Sequence, residues 1–354
     1  MSRTDENRTT VDAPFDTVSE RNVSQRERLV QLYDEWIYAP FKIIWTDWRA
    51  RFGLVVSLLY LLMGTVGPYL ISKPKPNQVE RYLLPWTPSW IPGWSGTGEL
   101  AYPLGADGLG QGLFRLMVHA TPFMLQMITA GAFLSIFVGV AIGTVSGYKG
   151  GLTDRLLMTF TDMMLTIPGL PLLIVLTAIL EPENPWLLGI ILSINAWPGL
   201  ARSLRSQVLT LREADYVEAS RAMGVSTHNI VREDILPNVI PYILINMARA
   251  AVAIIYASVG LYFLGVLPFT SLNWGVVLNL AYTTGGSLYT LNSAHWLLVP
   301  MFTIVLFTFA LILFAQGTDQ IFNPRIRARH AKTIESNDEE DSEDEPVDSI
   351  APYT

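Results

Sequence analysis

Six apolar stretches, at residues 52–71, 122–146, 156–180, 186–201, 240–264 and 296–316, are set between polar segments of this 354-residue chain. Most approach the ~20 residues that an α-helix needs to cross ~30 Å of hydrocarbon. In lipid every backbone N–H and C=O must be satisfied internally, so segments of this length and spacing can only be helices. The expected fold class is therefore an all-α membrane protein with six transmembrane helices. Half of the residues are apolar and only 16% are charged, which excludes an ordinary soluble globule.

The same composition removes several chemistries. There is no cysteine, hence no disulfide, no thiolate nucleophile and no Cys-based metal site. No pair of the four histidines has ligand spacing, and neither HExxH nor a nucleophile elbow occurs. Gly147-Tyr148-Lys149-Gly150-Gly151 lacks the spacing and the Lys-Ser/Thr ending of a Walker A loop. No cofactor, metal or catalytic residue is expected, and any energy source has to come from another chain. The net charge of −7 comes largely from the acid-rich end, Asp338, Glu339, Glu340, Asp341, Glu343, Asp344 and Glu345, and no nucleic-acid partner is expected. An acidic tail, no cysteine and few lysines suit a salt-loving archaeon.

Charge placement orients the spans. The loops after the second and fourth carry Lys149, Arg155, Arg202, Arg205, Arg212, Arg221 and Arg232, while those after the third and fifth carry no lysine or arginine. The positive-inside rule then puts both termini and the 211–238 segment in the cytoplasm. Residues 1–25 read as a disordered polar tail rather than a secretory signal, since no apolar h-region follows at the usual distance. Residues 26–51, with Trp36, Trp45, Trp48, Arg49 and Arg51, read as an amphipathic segment along the inner interface, and 325–354 as a basic then acidic disordered tail. Residues 72–121 form a long extracytoplasmic segment in which Pro85, Pro88 and Pro92 exclude a regular helix. Trp86, Trp90 and Trp94 within it suit an outer membrane interface; the sharper alternative is a docking surface for a solute-binding protein.

Within the spans, Gly131, Ser135, Gly139, Gly143 and Gly147 recur every four residues, a face that lets another helix approach closely. Ile167-Pro168-Gly169 predicts a kink. Asp162, inside the third span, has to face protein or water, and structural pairing is its expected role. Arg249, eight residues after Pro241, either faces the bundle or a wet cavity or snorkels to the cytoplasmic surface.

Between the fourth and fifth spans, residues 211–238 are too polar for hydrocarbon and must stand in water. Helix formers fill 213–223, with Ala214, Val217 and Ala222 at helical spacing and Gly224 as a stop. A second amphipathic run, Ile230, Val231, Ile235 and Leu236, follows Ser226 and Thr227 as capping candidates and is closed by Pro237. The expectation is helix, sharp turn, helix.

Glu218-Ala219-Ser220, three residues, Gly224, then nine residues before Asp234-Ile235-Leu236-Pro237 resembles the EAA loop of ABC importer permeases. The wider run 216–224 with 235–238 is similar to the second permease subunit of the dipeptide, oligopeptide and nickel branch. Ser220 stands for the usual second alanine, and Asp234 for the usual isoleucine. Pro103-Leu104-Gly105-Ala106-Asp107-Gly108-Leu109-Gly110 resembles that branch's PLGTDxLGRD signature, with Gln111 and Gly112 in place of its arginine and aspartate, and the 162–168 run matches its DxxLxxIP sequence.

The resemblance implies a non-catalytic permease subunit, in a prokaryotic cell membrane, that pairs with a second, different permease, two ATPase subunits and an extracytoplasmic solute-binding protein. Glu218, Ala219, Ser220, Arg221, Gly224, Ile235, Leu236 and Pro237 would couple it to the ATPases, with Arg232 as a neighbour of the contact. Di- or oligopeptides are the expected cargo, although members of this branch also move nickel and oligosaccharides. Where the branch reads L-E-A-S-L-S-F-L-G, Tyr256 is taken to replace the carboxylate, which makes the path, with Asp162 and Arg249, less suited to cationic cargo. A self-sufficient secondary transporter is the alternative of a different class; only Asp162 and Arg249 qualify as coupling residues for it, and no inverted repeat is apparent.

Overall fold

A computed structural model of the chain describes the backbone of residues 45, 47–86 and 99–322, and side chains as far as residue 317. The chain divides into two units, Met1–Ile43 and Ile44–Thr354, and every described residue belongs to the second. The N-terminal tail, most of the 26–51 segment, Trp90, Trp94 and the 325–354 tail lie outside the described residues.

The described part is helical, with no strand and one isolated bridge, Ala106 to Gly112. Its elements are α1 (Trp48–Thr65), α2 (Gly67–Leu70), α3 (Leu113–Lys149), α4 (Gly151–Thr166), α5 (Gly169–Leu180), α6 (Pro185–Ser193), α7 (Trp197–Arg212), α8 (Asp215–Ala222), α9 (Thr227–Asn229), a π-helical turn (Ile230–Ile235), α10 (Leu236–Phe263), α11 (Trp274–Thr283) and α12 (Leu291–Phe322). Three helices are long and apolar enough to cross a membrane: Leu113–Lys149, Thr227–Phe263 and Leu291–Gly317. Two bent pairs, α4 with α5 at 86° and α6 with α7 at 53°, raise the number to five if each pair is one span. The first helix, α1, is not among them; it starts four residues before the expected 52–71 and yields at Val66 to the single turn α2.

The hub is α3. It begins nine residues before the expected 122, with Pro122 inside the helix rather than at its start. The small-residue face expected on it is buried against α6 and α7. A Cβ on Gly131 would lie 2.5 Å from the Gly189 carbonyl, one on Gly143 2.7 Å from that of Ala201, and one on Gly147 2.8 Å from Val208. Close backbone approach of this kind substitutes for the hydrophobic drive that lipid cannot supply. It recurs between α1 and α12, where Gly53 faces the Phe314 backbone and Gly317 faces Ala50.

The bend predicted at Pro168 is present, and it has a partner. The α6–α7 break falls at 194–196, and Gly169 abuts Asn195 so closely that a Cβ would meet Asn195 Nδ2 at 2.1 Å. The two interruptions are thus packed on each other, which is where irregular backbone at membrane depth is tolerated. The segment after the fifth span contains α11. Asn273 caps it by accepting from Val276 N–H (2.9 Å), and the wholly buried Trp274 donates to Thr121 Oγ1 (3.3 Å) among Tyr60 and Phe307.

At the end opposite the 211–238 loop, residues 103–112 close on themselves. Asp107 is buried, and its Oδ1 accepts the N–H groups of Leu109 (2.9 Å) and Gln111 (2.7 Å). Gly105 and Gly110 have φ of 77° and 71°, and Ala106 donates to Leu83 while its carbonyl bonds His295. Burial holds the Asp107 carboxyl above its ordinary range, against the smaller opposing effect of those backbone donors.

Candidate functional site

The polar segment between α7 and α10 folds as the expected helix and turn, and then departs from expectation. In α8, Asp215 and Glu218 occupy the first turn, favourably placed at the positive end of the helix. The helix ends at Met223; Gly224 N–H donates to Arg221 (3.1 Å) and Val225 N–H to Ser220 (3.1 Å), the two bonds of a Schellman stop. Gly224 sits at φ 78°, and a Cβ added there would meet nothing within 4 Å, so backbone geometry rather than space requires glycine. Ser226 then caps the next turn by accepting from Asn229 N–H (3.4 Å).

Pro237 does not close the second run. It lies inside one continuous 37-residue helix made of α9, the π turn and α10, and its missing N–H falls directly after the π turn Ile230–Ile235, where the hydrogen-bond register is already shifted. The loop is anchored from below by Val217, Ile230, Ile235 and Val239, all buried against Leu200, Leu204 and Val208 of α7. Each such side chain removed from water contributes about 1.5–3 kcal/mol, enough together to hold a polar loop in one place.

The residues expected to couple with another chain fall into two groups. Glu218, Ala219, Arg221, Gly224 and Pro237 are exposed and Ser220 and Leu236 half-buried, but Ile235 is fully buried and is an anchor, not a contact. Arg221 is committed within the chain: Nη2 donates to the Arg212 carbonyl (3.2 Å) and the guanidinium lies over the Tyr148 ring at 5.7 Å. Arg212 in turn donates to the carbonyls of Gly147 (3.4 Å) and Tyr148 (3.3 Å), capping α3. Glu218 and Arg232 have no side-chain partner among the described residues.

Sequence reasoning missed Met223. It is 75% exposed, and with Tyr216, Ala219 and Ser220 it forms one outward strip of α8 at i, i+3, i+4, i+7. Two large apolar side chains flank two small ones, a shape that admits a close partner surface. An apolar residue just before a glycine stop, off the Val217 face, was the available signal.

Among the path candidates, Asp162 pairs with Arg202, and Asp154 binds Arg205 through both oxygens (2.5 and 2.6 Å) while accepting from Ser146 Oγ (2.6 Å). These pairs tie α4 to α7, as expected of Asp162. Tyr256 is half-exposed, with its hydroxyl 3.2 Å from Thr308 Oγ1. Counting back from Gly265 along the L-E-A-S-L-S-F-L-G pattern, the carboxylate's place falls on Ser258 and not on Tyr256. Ser258 is fully buried and bonded to the Ile255 carbonyl (2.8 Å), so it faces the core. Arg249 is exposed, on the side of α10 away from Ser258.

These features define a class: a multi-pass helical membrane protein that holds out, on a braced platform, a water-exposed helix–turn–helix. Residues 139–328 match the family described as binding-protein-dependent transport system inner membrane component. The chain belongs to that family, as an ABC importer permease of its peptide branch. It is similar to the dipeptide transport system permease protein DppC of Bacillus subtilis (strain 168), 30% identical over 285 residues that cover 78% of this chain and 82% of the relative. It is also similar to the di/tripeptide transport system permease protein DppC of Pseudomonas aeruginosa (strain UCBPP-PA14), at 26% identity over 82% and 93% of the two chains. A solved chain of the MetNI methionine ABC transporter matches 57% of this chain and 96% of its own length, with a TM-score of 0.44 and 20% identity. These two relatives are bacterial and lend nothing to a salt-loving archaeal source.

Proposed function

We propose that the chain is the membrane-spanning subunit of an ATP-driven importer for di- or oligopeptides, forming half of the translocation path and coupling to cytoplasmic ATPases through the 211–238 loop. In this reading α1 and α2 add a sixth span, both termini are cytoplasmic, and the subunit is not itself catalytic. Its partners are a second, different permease, two ATPase subunits and an extracytoplasmic solute-binding protein. The peptide cargo rests on the relatives, which are named as dipeptide and di/tripeptide transport permeases.

The observation that carries the coupling is the outward strip of α8, Tyr216, Ala219, Ser220 and Met223, with the unpaired Glu218 beside it. A strip of this shape, fixed from behind by buried aliphatic anchors and by Arg221, can transmit force to the spans instead of yielding. Its orientation toward the cytoplasm is supported by the arginines of the short loops on that side.

The test is affinity purification of the tagged protein from gently solubilised membranes, comparing wild type with Glu218→Ala, Met223→Asp and Gly224→Pro. Wild type is expected to bring down the ATPases, and the variants to lose them. A wild-type protein that comes down alone, yet moves solute in liposomes without ATP, would establish a secondary transporter instead.

A further inference from the structure

Arg249 stands at the centre of α10, thirteen residues after its first residue and fourteen before its last, about 20 Å from either end at 1.5 Å per residue. One contact fixes its depth. Ile254 reaches Gly131, where a Cβ would meet its Cδ1 at 2.6 Å, and Arg249 lies five residues, about 7.5 Å, from Ile254 toward the loop end of α10. Arg249 therefore lies well inside the apolar length of α3. A charge at that depth needs a partner or water.

The face that carries it is unlike a lipid-facing one. On α12 the exposed residues Leu298, Phe302, Val305, Phe309 and Ile312, spaced alternately four and three, are all large and apolar. On α10 the same spacing gives the exposed Arg249, Ala253 and Tyr256 and the half-buried Asn246 and Gly260, polar or small throughout, with nothing within 4 Å of a Cβ on Gly260, while the exposed Met247 lies on another side of the helix. The buried face, including Ala250, Ala251, Ile254, Ile255 and Ser258, packs the stripe outward from the core. Nor does the chain supply a near counter-charge: among the described side chains of the spanning helices, Asp154 and Asp162 are engaged by Arg205 and Arg202, and Glu233 and Asp234 lie about 22 Å or more away at the loop end of Arg249's own helix. Arg249 makes no hydrogen bond or ion pair among the described residues.

We propose that Arg249 is a specificity-determining residue of the translocation path, recognising a carboxylate carried by the cargo. A guanidinium presents a planar pair of donors that matches a carboxylate, and in a narrow, weakly screened path that match selects cargo more strongly than it would in bulk water. The inference rests on the importer reading above, and goes beyond it in assigning the recognised group.

The test uses the importer complex, this chain with its co-purified ATPases and second permease, in proteoliposomes with its binding protein. Uptake of trialanine is compared with that of trialanine amide, which lacks the terminal carboxylate. R249Q is expected to lower trialanine uptake about tenfold relative to the amide, while R249K keeps most of the preference. Because the chain has no cysteine, R249C places a single thiol at the site. Its modification by a cationic methanethiosulfonate should restore trialanine preference, an anionic reagent should not, and V305C on α12 should react with neither. Equal loss of both peptides without cationic rescue, an unreactive R249C, or an unchanged preference in R249Q would overturn the proposal. So would failure of every Arg249 variant to assemble with the ATPases, which would make the arginine an assembly residue. Wild type that binds no ATPases, or that imports neither peptide, would instead mark failure of the importer reading or its cargo, and the proposal would fall with it.

Discussion

Two polar turns of this molecule use the same backbone device for opposite ends. Gly105 and Gly224 have φ of 77° and 78°, and each ends a short turn between spans. Around Gly105 everything is turned inward: Asp107 is buried on two backbone donors, Ala106 is bonded by Leu83 and His295, and a Cβ on Gly105 would lie 2.3 Å from the Leu83 carbonyl. Around Gly224 the polar and apolar groups face out, with Met223 exposed and Glu218 unpartnered. A segment whose groups are satisfied within the chain is structure. One that is rigidly held while its side chains are left to solvent is free to meet another molecule, as the proposed coupling requires.

The comparison breaks most sharply under matched substitutions. Gly105→Ala adds a backbone collision to the strain of positive φ, and is expected to cost about 3 kcal/mol or more, read as a large fall in thermal midpoint in detergent. Gly224→Ala meets no atom and should cost only about 1 kcal/mol. Equal losses at the two sites would mean that space does not distinguish them. Between these lies the effect of Met223→Asp, which is expected to leave the thermal midpoint unchanged while weakening ATPase binding by at least about tenfold, about 1.4 kcal/mol. A fall in midpoint without loss of the ATPases would show Met223 to be a packing residue and erase the contrast.

Much of this arrangement was legible from residues alone, and the reasons for the rest are physical. The four-residue repeat from Gly131 to Gly147 reports helix contact because only small side chains allow it, and Pro168 and Gly224 act locally, so their bend and stop could be read without knowing the fold. Pro122 misled because a long helix held on several sides survives one missing N–H bond, and Pro237 because the π turn just before it takes up the missing N–H without ending the helix. The break at 194–196 follows from Pro198, whose missing N–H leaves the Ile194 carbonyl without its helical donor, and only its packing of Asn195 on Gly169 across the bundle needed the fold to be seen. Arg221 looked like a partner-facing charge because sequence cannot show that Tyr148 and the Arg212 carbonyl are within its reach. Ile235 was assigned to a contact by its place in a motif, when the burial of its side chain was settled by α7.

The smallest expected effect tests whether the inward turn is closed as tightly as its bonds imply. Burial raises the Asp107 pKa, so the folded loop keeps its proton at pH values where the unfolded chain has lost it. The stabilisation from that proton is complete below the ordinary carboxylate range and is lost as pH rises through the raised value, so the wild-type midpoint should decline over that window relative to a variant that cannot ionise at 107, and the difference then level off. Asp107→Asn retains an oxygen acceptor for the Leu109 and Gln111 amides and carries no charge at any pH. Because the two proteins share every other titrating group, the Asp107→Asn midpoint should match wild type at the acid end and stand slightly above it at neutral pH. Thermal unfolding of both proteins in detergent between acid and neutral pH reads the difference directly. A wild-type midpoint that gains on that of Asp107→Asn as pH rises would mean that the two amide donors outweigh burial and hold the carboxylate as an anion.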